Sequence, residues 1–128
     1  MNNDIDQINT TNWHDYYFEK LELDYDDIKV FISSESDERI EIICKEHIGV
    51  LYLGHWDESV IRSIKVQNGA EITNDSLTLI KANYRDMILG GGYRSIDNKW
   101  YELIIEFIDD NKLTIVCSRV TVCMHEGV

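Results

Sequence analysis

The chain has 128 residues, 44% of them hydrophobic and 28% charged, with three cysteines and no proline. That composition excludes a disordered chain and a disulfide framework, and no apolar run approaches the ~20 residues that span a bilayer. The 24 acids against 12 bases give a formal net charge of −12, a field that repels phosphate backbones and anionic lipid, so neither nucleic acid nor membrane is an expected partner.

The length suits one domain over residues 1–128. Residues 1–11 are polar and rich in Asn and Asp, and are expected to fray or lie across the surface. A first strand follows over about 16–23, where Tyr17, Leu21 and Leu23 alternate with Phe18, Lys20 and Glu22. Asp24-Tyr25-Asp26-Asp27 supplies turn chemistry, because Asp side chains bond the backbone two residues on. Ile28, Val30 and Ile32 form a second strand, and Ile40, Ile42 and Cys44 a third. Ile48 to Leu53 is apolar on both faces, as expected of a strand covered on both sides. Val60, Arg62, Ile64 and Val66 resume period two. Asn68-Gly69 then predicts a two-residue hairpin turn.

One segment has helical spacing. Leu77, Ile80, Tyr84, Met87 and Ile88 recur at intervals of three and four, after the capping candidates Thr73, Asn74 and Asp75, which predicts a helix over about 75–88 ended by Gly90-Gly91-Gly92. Strands return at Tyr101, Leu103, Ile105 and Phe107, and again at Leu113, Ile115 and Cys117. At Ser118-Arg119 the apolar parity flips before Val120, Val122 and Met124, which a β-bulge would explain. The expected fold is α+β and mostly β: a single antiparallel curved sheet or open barrel of about seven to eight strands, with one helix.

No motif carries chemistry with the spacing it requires. Cys44 reads as a small core hydrophobe, and Cys117 and Cys123 sit too far apart along one strand to chelate a metal, so neither a metal nor another cofactor is expected. Gly90-Gly91-Gly92 ends a helix where a phosphate cradle would begin one. Glu102/Glu106 and Asp109/Asp110 read as a solvated strand face and a turn. His14-Asp15 and His55-Trp56-Asp57 each set an imidazole beside a carboxylate. Should they converge, His14, Asp15, His55 and Asp57 would form an acid/base or metal site; otherwise they bond local backbone at turns.

The acids are unevenly spread: residues 1–64 hold 15 acids and 5 bases, net −10, and residues 65–128 hold 9 and 7, net −2. Trp13 to Asp27 contains five of the thirteen aromatics and six acids against the single base Lys20. Aromatic side chains supply contact area with a polar tip, and surrounding carboxylates attract Lys and Arg. Trp13, Tyr16, Tyr17, Glu19, Glu22, Asp24, Tyr25, Asp26 and Asp27 are therefore the candidate surface for a basic protein partner. The bland reading sends the rings to the core and leaves the acids as the wet side of a strand.

The Asn12-Trp13-His14-Asp15 opening before a strand, with Trp100 and the Glu102-Leu103-Ile104-Ile105 strand leading to an Asp turn, resembles small acidic strand-rich bacterial proteins of unassigned function. Some of these are similar to immunity proteins of polymorphic toxin systems. The resemblance implies a non-catalytic inhibitor of a basic toxin and transfers no residue roles. The opening Met1-Asn2-Asn3-Asp4 has no basic segment followed by an apolar one, and the odd cysteine count fits a reducing compartment, so a cytoplasmic location is expected. The leading expectation is a non-enzymatic binding domain. A small enzyme at the two His-Asp pairs, or a self-associating module that pairs through a strand edge at Val120–Met124 to form a homodimer, are the alternatives.

Overall fold

Alternation at period two gives a strand one apolar face, and two such faces must find each other. The computed structural model describes residues 3–53, 60–84, 88–89, 92–93 and 99–125. Two four-stranded antiparallel sheets stack there. The first has the order β1 (Tyr17–Leu23), β2 (Asp27–Ser33), β3 (Arg39–Lys45), β10 (Arg119–His125); the second runs β4 (Gly49–Leu53), β9 (Lys112–Cys117), β8 (Tyr101–Phe107), β5 (Ile61–Asn68). A two-residue pair, β6 (Ile88–Leu89) and β7 (Gly92–Tyr93), stands apart. Two helices lie among the described residues, α1 (Asn3–Thr10) and α2 (Glu71–Tyr84). The mostly-β expectation stands; the single curved sheet is replaced by two.

Ile28, Val30, Ile32, Ile40, Ile42, Cys44 and Val120 of the first sheet pack against Ile61, Ile64, Leu103, Ile105, Phe107, Leu113 and Ile115 of the second. Phe18 meets Phe107 edge to face at 5.7 Å between centroids. On its other face the second sheet buries Glu102, Thr114 and Val116, where α2 packs on β4, β8 and β9. β4 is an edge strand, and Val50 and Leu51 are 43% and 36% exposed. The expectation of a strand covered on both sides is corrected there, because a run of apolar residues does not distinguish an edge from a centre.

The parity flip at Ser118-Arg119 is a change of sheet. β9 ends at Cys117 in one sheet and β10 begins at Arg119 in the other, with Ser118 N–H bonded to Lys45 O at 3.1 Å across the corner. Cys117 is buried and Cys123 exposed, on opposite sides of the turned strand.

Three further expectations are corrected. Residues 3–10 form a helix, with Asp4 and Asp6 in its first turn, where carboxylates favour the helix dipole, and Ile8 buried. The second helix starts at Glu71 instead of 75 and its described part ends at Tyr84; Ile88 is in a strand, and residues 85–87 and Gly90 and Gly91 lie outside the described residues. Asn68-Gly69 leads from β5 into α2 and makes no hairpin. Gly69 is needed there for close approach: an added Cβ would stand 2.8–3.0 Å from three side-chain atoms of Thr73, itself buried and hydrogen-bonded. Gly69→Ala should therefore cost about 1–3 kcal/mol in urea unfolding, the usual penalty for overpacking; an unchanged midpoint would show that Thr73 can yield.

Candidate functional site

The structure divides the 13–27 segment. Trp13 is 2% exposed and donates from Nε1 to Ile8 O at 2.8 Å. Tyr16 packs edge-on against it at 5.2 Å and is half-buried. Tyr17 is half-buried too and donates to Glu35 Oε1 at 3.1 Å. Trp13 is thus corrected from the candidate surface to the core, because α1 supplies cover that a polar N-terminus did not advertise. The acids also separate. Glu19 accepts from Ser33 Oγ, Glu22 pairs with Lys20 at 2.9 Å and lies opposite Lys29, and Asp27 lies opposite Lys45. On the outer face of the first sheet carboxylates alternate with bases, and no single negative patch forms along the strand.

The hairpin tip is different. Leu23 is 60% and Tyr25 50% exposed, and Asp24 and Asp26 flank Tyr25 in solvent. Asp24 Oδ1 accepts the N–H groups of Asp26 and Asp27 at 3.0 and 2.8 Å, while Asp24 N–H bonds Asp27 O at 2.9 Å. The Asp27 N–H, followed in the same sense by Asp26, Lys29 and His47, holds the Asp24 carboxyl below the ordinary aspartate value against the opposing pull of desolvation. A second segment braces the turn: Glu46 N–H donates to Asp26 O and His47 Nε2 to Asp24 O, each at 2.8 Å. Glu46 is fixed by Ser118 Oγ at 2.6 Å, with Arg119 at 3.7 Å. The sequence pointed to Glu22, Asp24, Tyr25, Asp26 and Asp27. It missed His47 and Glu46, because a brace from 20 or more residues away leaves no local signal, and it set Leu23 on the apolar face of the strand, where the structure leaves it exposed.

Of the alternative site, only the His14-Asp15 half lies among the described residues. His14 Nδ1 and Asp15 Oδ2 are 3.1 Å apart, and both side chains are exposed. They occupy a turn in which Tyr16 N–H bonds Trp13 O and Asp15 adopts φ 72°. His55 and Asp57 lie outside the described residues. Among the described residues no three His, Cys, Asp or Glu side chains gather as a metal-binding group. The Cys44 thiol, buried beside Cys117, is held well above its ordinary pKa by its hydrogen bond to that residue and then by desolvation, so it stays a protonated core group.

Glu102 also departs from expectation. It is 2% exposed, not solvated, because α2 lies over that face of β8. Its Oε2 accepts Ala70 N–H, Thr73 N–H and Thr73 Oγ1 at 2.9 Å each, and Oε1 accepts Gln67 Nε2 at 3.1 Å. A strand carboxylate thereby caps the first turn of a helix 31 residues upstream, taking donors that have no partner within the helix. No described helix is long and apolar enough to cross a membrane.

No family model, curated protein or solved structure matches this chain.

Proposed function

We propose that this chain is a non-enzymatic binding domain that engages a basic protein partner through the β1–β2 hairpin tip, as an immunity-type inhibitor would. The observation that supports this reading is the braced tip itself, where exposed Leu23 and Tyr25 are interleaved with exposed Asp24 and Asp26. Aromatic anchors ringed by charge are the usual composition of an interface hot spot and its rim. Bracing by Glu46 and His47 reduces the ordering entropy that a loop loses on binding. Carboxylates at an exposed tip accelerate encounter with a cation and suppress encounter with an acid.

Asp24 holds the turn, so variants that probe binding must leave it in place. Immobilised wild-type protein should retain a basic protein at low ionic strength and release it by about 0.3 M salt, where screening reaches roughly 6 Å. Tyr25→Ala with Asp26→Asn should lose the capture while staying folded by circular dichroism. Capture by that variant of the same protein in the same amount would refute the reading.

A further inference from the structure

β5 and β10 are edge strands of their sheets, and edge backbone is a template for further pairing. α1 sits against both. Asn9 Nδ2 donates to Val66 O at 3.0 Å, and Asn9 Oδ1 accepts Val66 N–H at 2.7 Å. One side-chain amide thus reproduces the donor and acceptor that a neighbouring strand residue would offer. Asp4 Oδ2 accepts Val122 N–H at 3.2 Å on β10, and Gln7 Nε2 reaches Met124 Sδ at 3.3 Å. Ile8 is buried and Ile5 packs on the same core. Eight residues of helix therefore occupy two strand edges at once.

We propose that α1 is an edge guard, and that its release lets β10 pair antiparallel with β10 of a second copy, centred on Val122. β10 is favoured over β5 for a structural reason. The start of β5 stays occupied when α1 leaves, because Ile61 N–H bonds Tyr16 O at 2.7 Å and Asp15 N–H bonds Ile61 O at 3.1 Å. Pairing two β10 strands about Val122 joins the first sheets of two copies into one eight-stranded sheet, an isologous contact that closes. It also sets the exposed Cys123 of each copy close to the two-fold axis, while Cys44 and Cys117 stay buried.

The test compares full-length wild type, Asn9→Ala, Asp4→Ala and the double variant by light scattering from about 5 to 500 μM. Amide hydrogen exchange at Val66 and Val122 is followed alongside, and a short bis-maleimide probes Cys123. Wild type is expected to be monomeric. The double variant should become dimeric in the upper part of that range and cross-link through Cys123, with exchange at Val66 faster by about tenfold or more. Exchange at Leu103 and Ile115 separates release of α1 from unfolding. Should the alanine variants not fold, Asn9→Asp, which keeps the acceptor and loses the donor, takes their place. A released but monomeric variant, or a wild type already dimeric through β10, overturns the proposal.

Discussion

Trp13→Ala is expected to destabilise the protein by about 3–5 kcal/mol, the range for deleting a large buried aromatic. The ring is 2% exposed, lies among the core residues, and meets Tyr16 edge to face. Its Nε1 bond to Ile8 O fastens the last turns of α1, so the loss extends beyond the cavity to the attachment of the helix. Trp13→Phe separates the two contributions: it keeps most of the apolar volume and removes the donor, leaving Ile8 O to be satisfied otherwise, at about 1–2 kcal/mol. Urea unfolding followed by circular dichroism measures both. A loss below about 1 kcal/mol for Trp13→Ala would return the ring to the surface and reopen the wider aromatic patch.

Glu102→Ala comes next, at about 2–4 kcal/mol, because it strands donors at the N-terminus of α2 in a site closed to water. Burial on its own raises the Glu102 pKa, but the Ala70 and Thr73 N–H groups, the Thr73 hydroxyl and Gln67 outweigh it and hold the carboxyl below the ordinary glutamate value. A group whose folded pKa is lowered contributes stability that is complete above the unfolded value, about 4.3, and that drains away as pH falls through the folded value. Glu102→Gln keeps one acceptor oxygen and cannot titrate. The stability gap between wild type and Glu102→Gln should accordingly be widest near pH 7 and narrow below about pH 4. Asp24, lowered in the same sense, is present in both proteins and cancels. A gap that stays constant from pH 7 to pH 3 would mean that the carboxylate form is not what caps the helix.

Much of the fold is legible in period-two spacing, since Ile28, Val30 and Ile32 or Leu103, Ile105 and Phe107 mark one face of a strand without reference to the rest of the chain. Which sheet a strand joins is not local. The flip at Ser118-Arg119 announces an irregularity, but a bulge and a corner between sheets produce the same one-residue slip. α1 left a faint trace, Ile5 and Ile8 at helical spacing behind Asp4 and Asp6, and its composition hid it. The Asn-Gly signal at 68–69 is ambiguous because glycine serves close approach as well as positive φ, and Thr73 decides which. Glu102 looked solvated because its cover comes from a helix elsewhere in the chain. At the candidate site, the turn-forming Asp residues and Tyr25 could be read directly. Burial of Trp13 depended on α1, and support of the tip depended on Glu46 and His47.

The burial of Glu102 and the support of the tip both come from contacts distant in sequence. They also sharpen the functional proposal: along the strand Glu22 pairs with Lys20 and Asp27 lies opposite Lys45, whereas Asp24 and Asp26 stand exposed on either side of Tyr25 at the tip. Association kinetics with the captured basic partner test that most directly, using wild type, Asp26→Asn and Tyr25→Ala at about 0.05 and 0.3 M salt. Asp26→Asn should show a slower on-rate whose difference from wild type disappears at the higher salt, and Tyr25→Ala a faster off-rate at both. Rates for both variants equal to wild type at both salts would contradict the proposal.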